Sequence, residues 1–211
     1  MPMTPRYIAI EGNIGAGKTT LARLLAERLN ARTVLEEFAD NTFLPKFYAD
    51  PERWAFPLEL SFLADRYKQL KDFVATPDLF AQNVITDYLF VKSKLFARIN
   101  LDDAEYELFS KVFDVMQLHL PQPDVLLFLH APVETLQGHI RERGRHYEQA
   151  IADDYLSSVS RMYDEYLGTL SLPVVMIDTS VCDFRKQPDQ LEALLALISN
   201  GLDARRYYLN S

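Results

Sequence analysis

Short apolar runs alternate along the chain with longer segments whose apolar residues recur at helical spacing. A buried parallel strand is a continuous run of β-branched or large apolar residues, and five runs have that character. They are Tyr7–Ile10, Thr33–Leu35, Val84–Thr86, Val125–Leu129 and Val174–Ile177. The segments between them, such as 21–29 and 191–198, predict amphipathic helices. This alternation predicts an α/β fold with a five-stranded parallel sheet flanked by helices.

The composition indicates one globular domain over residues 1–211. No linker or low-complexity tract divides the chain, and 48% hydrophobic with 25% charged residues is typical of a packed core. The 22 basic and 30 acidic side chains give a net charge of -8, the wrong sign for holding DNA or RNA through phosphate contacts. We therefore expect a small-molecule partner and no nucleic acid, since local basic residues can still bind a small anion.

Targeting and redox features favour a cytoplasmic location. The N-terminus lacks the apolar core and cleavage site of a secretory signal. The longest apolar run, Val125–Leu129, is far too short to cross a membrane, so we expect no membrane association. The single cysteine, Cys182, has no partner for an internal disulfide, and no Cys/His spacing fits zinc.

A phosphate-binding motif follows the first predicted strand directly. Residues 12–19 match the pattern of glycine, four residues, then Gly-Lys-Ser/Thr. Glycine lets backbone amides converge on phosphate oxygens, Lys18 can reach the β- and γ-phosphates, and Thr19 offers a hydroxyl to Mg²⁺. A strand before the motif and a helix after it favour this function over a chance glycine-rich turn. The predicted nucleotide-binding residues are Gly12, Asn13, Ile14, Gly15, Ala16, Gly17, Lys18, Thr19 and Thr20.

The residues that flank this loop indicate which family of nucleotide-binding proteins the chain resembles. The segment Glu11–Leu21 resembles, almost letter for letter, the opening of the deoxynucleoside kinase family, and the resemblance continues over most of the chain. It implies a P-loop kinase that uses ATP and Mg²⁺ to phosphorylate the 5′-hydroxyl of a deoxynucleoside. It also implies a homodimer formed through helices beside the sheet.

Two acids close the second predicted strand, and parallel sheets place their ligands at such strand ends. Glu36 or Glu37 could be the general base that accepts the proton of an attacking hydroxyl. The resemblance maps the base to Glu36, with Glu37 at a position where the family usually has proline. Two solvated acids at a strand end are the alternative.

The segment 48–59 is similar to the family's substrate pocket. The resemblance implies that Tyr48 binds the sugar 3′-hydroxyl, that Trp54 and Phe56 form a pocket wall, and that Arg66 faces the nucleobase. Without the resemblance, ordinary core packing is the favoured role of Trp54 and Phe56.

Glu59 stands where the animal enzymes of the family have glutamine. An amide both donates and accepts hydrogen bonds, whereas a carboxylate only accepts, and guanine presents two adjacent donors at N1–H and N2–H₂. The segments 58–60 and 65–70 also resemble the bacterial purine branch, the deoxyguanosine and deoxyadenosine kinases. The alternative is an ion pair between Glu59 and Arg66, two helical turns apart and remote from substrate.

Asp87 ends an apolar strand in the manner of a Walker-B-like element, and we assign it to substrate binding and, with Thr19, to Mg²⁺. The animal enzymes follow this acid with an arginine that touches the reacting groups. Tyr88 stands there in this chain, so another residue must take the arginine's role or the role is absent.

Two later segments complete the predicted site. The arginine-rich segment 141–150 resembles the family's lid, which implies that Arg143 and Arg145 clamp the transferring phosphates and that Glu148 binds the sugar. A solvated basic helix end is the alternative. The pair Asp183-Phe184 resembles the family's loop at the adenine of ATP, although Phe184 could equally be a simple helix staple.

The favoured function is therefore ATP-dependent phosphorylation of a purine deoxynucleoside, deoxyguanosine or deoxyadenosine. A nucleoside monophosphate kinase of the thymidylate kinase type shares the loop and the lid, but it needs a second phosphate site for which the acceptor segment has few spare basic residues. A non-catalytic nucleotide-binding switch is the third possibility, and it has no reason to carry the acceptor half between Tyr48 and Arg66.

Overall fold

Six strands, all paired in parallel, form the central sheet in the part of the chain that the computed structural model describes, residues 5–36, 41–75, 83–202 and 205–209. Their spatial order is β2-β3-β1-β4-β5-β6. The strands are β1 (Tyr7–Gly12), β2 (Arg32–Val34), β3 (Val84–Thr86), β4 (Val125–His130), β5 (Val174–Asp178) and β6 (Arg206–Leu209).

Eight α-helices lie between the strands in these ranges. They are α1 (Lys18–Leu29), α2 (Leu44–Ala49), α3 (Pro51–Ala75), α4 (Lys92–Asn100), α5 (Asp103–Gln117), α6 (Val133–Arg143), α7 (Asp153–Thr169) and α8 (Pro188–Ser199). Among them, none combines the length and apolar character that a bilayer-spanning helix requires.

The expected α/β class with a parallel sheet is confirmed, but the expected number of strands is one too small. The additional strand, β6, pairs only with β5, in a register that places Val174 opposite Arg206. Its residues alternate between exposed and half-buried because it lies at the edge of the sheet. An edge strand of this kind lacks the continuous apolar run by which the interior strands are recognised.

The two faces of the sheet are covered by different helices. Along β1, Ile8 and Ile10 pack in one cluster with residues of α1, α6 and α8, whereas Tyr7 and Ala9 pack in a second cluster with α7. Successive side chains of a strand point to opposite faces, so a strand with both faces covered is apolar throughout. This explains why β1 is buried along its whole length.

A third apolar cluster joins α2, α3, α4 and α5. It includes Leu58 and Leu63 of α3, Ala97 of α4, and Phe109 and Phe113 of α5. By fixing α3 beside α4, the cluster brings polar side chains of both helices to one cavity, which also borders the phosphate loop. The position of the site therefore depends on helix packing as well as on the sheet.

Candidate active site

A cavity of about 620 Å³ lies at the carboxyl ends of β1, β2 and β3, where a doubly wound sheet places its ligands. A volume of this size is typical of a small-molecule site. Side chains from five predicted parts of the site line it together: the phosphate loop, the end of β2, α3, the lid and the loop after β5. The sequence motifs, spread over more than 160 positions, thus converge on one place.

The phosphate loop begins with a close contact to the sheet and ends in open space. A Cβ atom on Gly12 would come within 2.2 Å of the Leu129 carbonyl oxygen of β4, so only glycine fits. Gly17 has a φ of 94° at the start of α1, and a Cβ there would meet nothing within 4 Å. The positive end of the α1 dipole therefore faces a space that an anion can enter.

Lys18 reaches back over the loop. Its Nζ donates to the carbonyl oxygens of Gly12 and Asn13 at 2.8 and 2.9 Å. Burial, and after it the nearby cation of Lys92, lower the pKa of Lys18 to about 8. The Lys18 cation is thereby held at the place where the negative charge of a triphosphate would offset its desolvation.

Most, but not all, of the predicted nucleotide-binding residues line the cavity. Ile14 to Thr20 do so, whereas Gly12 and Asn13 support the loop. The buried Asn13 side chain donates to the Leu156 carbonyl oxygen and to Ser160 Oγ, both at 2.8 Å, and accepts from the Ile14 N–H. Its side chain therefore anchors the loop to α7.

The two predicted magnesium residues lie side by side. Thr19 Oγ1 donates to Asp87 Oδ2 at 2.5 Å, and Asp87 Oδ1 accepts from the backbone N–H of Glu36 at 2.7 Å. A hydroxyl and a carboxylate next to the phosphate loop are hard oxygen ligands, and Mg²⁺ is usually held by one or two such groups together with phosphate oxygens. The residues present therefore fit Mg²⁺.

Glu36 is the most strongly paired acid of the site. Its Oε1 accepts from Arg66 Nε at 2.8 Å and Nη2 at 2.5 Å, and its Oε2 accepts from Lys92 Nζ at 2.7 Å. Burial by itself would raise the pKa of Glu36, but the cations of Lys92 and Arg66 outweigh burial and lower that pKa to about 2. Glu36 is thus ionised at neutral pH and fixed in the cavity wall. Its neighbour Glu37 lies outside the described residues.

Lys92 is the residue that sequence reasoning missed. Tyr88, at the family's arginine position, is buried and donates its hydroxyl to Gln69 Oε1 at 2.9 Å, while Lys92 of α4 binds Glu36. Lys92, Phe96 and Asn100 line the cavity at intervals of four residues along α4. The signal in the sequence was this helical face, on which two polar residues alternate with an aromatic one.

Arg66 and Glu59 do not form the pair that was the alternative explanation of Glu59. The Arg66 guanidinium binds Glu36 and also donates to Ser93 Oγ at 2.8 Å. Glu59 is buried, and its Oε1 accepts from Asn100 Nδ2 at 2.6 Å. Within the described residues its Oε2 has no hydrogen-bond partner. Burial raises the pKa of Glu59 to about 7. Both side chains line the cavity.

Trp54 and Phe56, which were predicted to form a pocket wall, are not among the residues that line the cavity. Leu58 and Phe62 of α3 line the cavity, whereas Trp54 and Phe56 pack in the apolar cluster of α2 to α5. The Trp54 ring lies against Lys46, whose Nζ is 4.5 Å from the ring centroid. Residues 58, 59, 62 and 66 share one helical face because they recur at spacings of three and four. Trp54 lies one turn before Leu58, next to Lys46, and does not line the cavity.

The predicted lid residues meet one another at the cavity. The helix α6 ends at Arg143, and a turn at Gly144 leads into a short 3₁₀ segment, His146–Glu148. The buried Glu148 pairs with both Arg143 and Arg145, the latter at 3.1 Å. Tyr48 lines the cavity beside them, and its ring stacks on Tyr147 with centroids 6.2 Å apart.

Asp183 and Phe184, from the predicted adenine loop, also line the cavity. Asp183 accepts from the Arg185 backbone N–H at 3.1 Å and pairs with Lys186 at 3.2 Å. Phe184 is largely buried in the core cluster that includes Leu191 of α8, so it packs as a helix staple and borders the cavity at the same time.

Comparison with known proteins identifies the family. A family model of deoxynucleoside kinases matches residues 8–202 of this chain. The chain belongs to the deoxynucleoside kinase family. This membership sets aside the non-catalytic switch and the thymidylate kinase type, and it makes the chain a kinase.

Individual members of the deoxynucleoside kinase family agree with this membership. Deoxyguanosine kinase of Bacillus subtilis (strain 168) is 36% identical over 201 residues, covering 92% of this chain and 96% of the relative. Deoxyadenosine/deoxycytidine kinase of the same organism is 30% identical over 201 residues, covering 92% and 91%. The structure of a deoxyadenosine kinase from M. mycoides, 23% identical, has the same fold, with a TM-score of 0.78 over 90% of this chain and 98% of that one.

Proposed function

We propose that this kinase transfers the γ-phosphoryl group of ATP to the 5′-hydroxyl of a purine deoxynucleoside, with deoxyguanosine favoured. The observation that carries the purine assignment is the Glu59 carboxyl group, buried in the cavity wall with one oxygen free of protein partners in the described residues. A carboxylate is complementary to the adjacent N1–H and N2–H₂ donors of guanine. The similarity to the Bacillus subtilis deoxyguanosine kinase supports this choice.

At the phosphate end, bound Mg·ATP supplies the phosphoryl group and a divalent charge that neutralises the developing negative charge. Thr19 and Asp87 are the residues we propose to hold Mg²⁺, because their oxygens lie together beside the loop. Lys18 contributes a positive charge at the β- and γ-phosphates, and the amides of the loop orient the triphosphate. Asp183 and Phe184 border the region that we assign to adenine.

Glu36 is the group we propose to orient the 5′-hydroxyl and accept its proton. With Arg66 and Lys92 bound to it, the carboxylate is ionised and held in one orientation. Its lowered pKa makes it a weak base, which suits a loose phosphoryl-transfer transition state, since positioning and charge neutralisation supply most of the rate there. Proton transfer to Glu36 is then late, after the bond to the leaving group has largely broken.

Lys92 is our proposed replacement for the arginine that the animal enzymes carry after the acid. It is buried, lines the cavity and lies 2.7 Å from Glu36. Its cation is therefore close to the atoms that react, whereas Tyr88 is bound to Gln69.

Replacing Lys92 with methionine is expected to lower kcat at least tenfold, because the site loses one buried cation beside the reacting groups. The KM for the nucleoside should change much less, since Arg66 and Glu59 keep their positions. Steady-state kinetics with saturating Mg·ATP measure both constants. Lys92→Arg, which keeps the charge, should recover most of the rate.

Lys94→Met is the matched control for Lys92→Met, because Lys94 lies on the same helix but pairs with Asp114 at the surface. It should behave as the parent protein. If Lys92→Met keeps the parental kcat, Lys92 does not replace the arginine.

The lid arginines complete the phosphate clamp in this proposal. Arg143 and Arg145 are held near the cavity by their shared partner Glu148, which we assign to the sugar together with Tyr48. One carboxylate would then link nucleoside binding to the placement of the two arginines. Planar guanidinium groups suit phosphoryl oxygens.

Replacing Glu59 with glutamine is expected to move the preference from guanine toward adenine or cytosine by more than tenfold. The new amide can donate to a ring nitrogen while its carbonyl accepts from an exocyclic amine, and a mismatched buried hydrogen bond costs about 1–3 kcal/mol. Values of kcat/KM for the four deoxynucleosides on both proteins test this directly. Deoxyguanosine should rank first for the parent protein.

Glu107→Gln serves as the control for Glu59→Gln, since Glu107 is an exposed acid of α5 paired with Lys111. It should leave the ranking unchanged. A parent protein that prefers thymidine or deoxycytidine, or a Glu59→Gln variant with the parental ranking, would overturn the purine assignment.

We also propose the homodimer and the cytoplasmic location that the family resemblance implies, with a nucleoside and not a nucleic acid or a membrane as the partner. Exposed Leu108 and Val115 on α5 offer apolar surface for a second copy. The net charge of -8 disfavours binding to a nucleic acid.

A further inference from the structure

The Asn100 amide fixes which oxygen of Glu59 can carry a proton. Asn100 Oδ1 accepts from the Tyr155 hydroxyl at 3.3 Å, and Nδ2 donates to Glu59 Oε1 at 2.6 Å. An amide nitrogen has no lone pair to accept with, so a hydroxyl proton on Oε1 would point at a donor. Oε1 is therefore an acceptor in both protonation states of Glu59, and any proton must lie on Oε2.

Oε2 is the oxygen left for a ligand. It is buried and has no partner within the described residues, and both Glu59 and Asn100 line the cavity. A buried oxygen without a hydrogen bond is costly unless a bound molecule or a proton satisfies it. Two kinds of partner can do so: a donor to the ionised oxygen, or an acceptor for the protonated one.

The surroundings of Glu59 place its two protonation states close in free energy. Burial raises its pKa to about 7, although the hydrogen bond from Asn100 and the charges of Arg66 and Lys92 act to lower it. The charge of Glu36, at the end of β2, acts to raise it. Tyr155 of α7 faces the same group through Asn100. Both states of Glu59 are thus accessible near neutral pH.

We propose that Glu59 selects between two purines by its protonation state. The ionised carboxylate accepts from guanine N1–H and N2–H₂. The neutral carboxylic acid, which takes its proton from solvent before the nucleoside binds, donates from Oε2 to adenine N1 while Oε1 accepts from the adenine N6 amine. This inference rests on the proposed function, in which Glu59 reads the base, and adds that solvent pH sets which base it reads.

A quantitative consequence follows from linkage. If deoxyguanosine uses only the ionised enzyme and deoxyadenosine only the neutral one, the ratio of their kcat/KM values follows the ratio of ionised to neutral Glu59. That ratio rises about tenfold for each pH unit, whatever the pKa is. Effects of pH on Glu36, the lid or ATP are shared by both substrates and cancel.

The experiment is a competition between the two nucleosides in one reaction. Equal concentrations are incubated with Mg·ATP at a series of pH values between about 6 and about 8, and the initial ratio of the two monophosphates gives the ratio of kcat/KM. We expect deoxyguanosine to gain about 100-fold over this range. Glu59→Gln should give a ratio independent of pH, whereas Glu107→Gln, altered at a surface acid, should keep the parental slope.

Calorimetry gives a second measurement without turnover. Near the pKa of Glu59, binding of deoxyguanosine should release a proton and binding of deoxyadenosine should take one up. The apparent binding enthalpies in two buffers of different ionisation enthalpy should therefore differ with opposite signs for the two nucleosides. Both differences should vanish in Glu59→Gln.

The possible outcomes distinguish failure of this inference from failure of the proposed function on which it rests. A flat ratio in the parent protein, together with an altered ratio in Glu59→Gln, would overturn the protonation switch and leave base reading by Glu59 intact. A slope that persists in Glu59→Gln would assign the switch to another group and overturn the inference. A Glu59→Gln variant with the parental ratio at every pH would overturn base reading itself.

Discussion

Lys18→Ala is expected to lower kcat by at least about 10³-fold, the largest effect of any single substitution considered for this protein. Lys18 Nζ is held by two carbonyl oxygens of the phosphate loop, beside the region that we propose for the β- and γ-phosphates. Alanine removes that charge without replacement. Deoxynucleoside binding should persist, because Glu59, Arg66 and Tyr48 lie on other elements of the cavity.

Two measurements separate these effects of Lys18→Ala. Turnover with saturating Mg·ATP reports phosphoryl transfer, and calorimetric titration with deoxyguanosine in the absence of ATP reports the nucleoside site. Lys111→Ala, at an exposed position of α5, controls for the loss of a lysine in general. Normal turnover by Lys18→Ala would contradict the assignment of the phosphate loop.

Glu36→Gln is expected to lower kcat by about 10² or more. The carboxylate accepts from both Arg66 and Lys92, and glutamine can offer only one acceptor oxygen while its amide nitrogen faces a cation. The variant therefore loses the proton acceptor and also the partner that fixes the two cations. We expect kcat to fall more than the KM for ATP, since the phosphate loop is not altered.

The stability of the Glu36→Gln variant must be measured together with its kinetics. Removing one partner from a buried ion pair costs about 3–5 kcal/mol when the remaining charge is left without compensation. Thermal unfolding of the variant defines the temperature range in which kcat can be compared. If Glu36→Gln keeps the parental kcat and Glu37→Gln loses it, the base is Glu37 and the assignment of Glu36 is wrong.

The sequence by itself determined the fold class and the phosphate end of the site. The strands β1 and β4 are continuous apolar runs because both faces of the sheet are covered, and this pattern is visible without any structure. The phosphate loop is contiguous in sequence, so its glycines, Lys18 and Thr19 are recognisable as one motif without any structure. The edge strand β6 was not predicted, because a strand at the edge of a sheet does not require a continuous apolar run.

The tertiary structure decided which side chains of α3 face the cavity. A list of aromatic and apolar residues does not give the rotation of a helix about its axis. That rotation is set by packing against α2, α4 and α5, and it turns Leu58 and Phe62 toward the cavity. Trp54, one turn before Leu58, lies against Lys46. Which residues of α3 border the cavity could therefore not be predicted from the sequence alone.

The partners of the buried charged groups could not be predicted from the sequence either. Glu36 and its partner Lys92 are 56 positions apart in the sequence, and Glu59 and its partner Asn100 are 41 positions apart. A charged group in a low-dielectric cavity needs a partner. The sequence offers many possible partners, and the packing of α4 against α3 selects among them. Local sequence therefore specified the phosphate-loop motif, whereas long-range packing specified how the acids of the proposed acceptor site are charged and oriented.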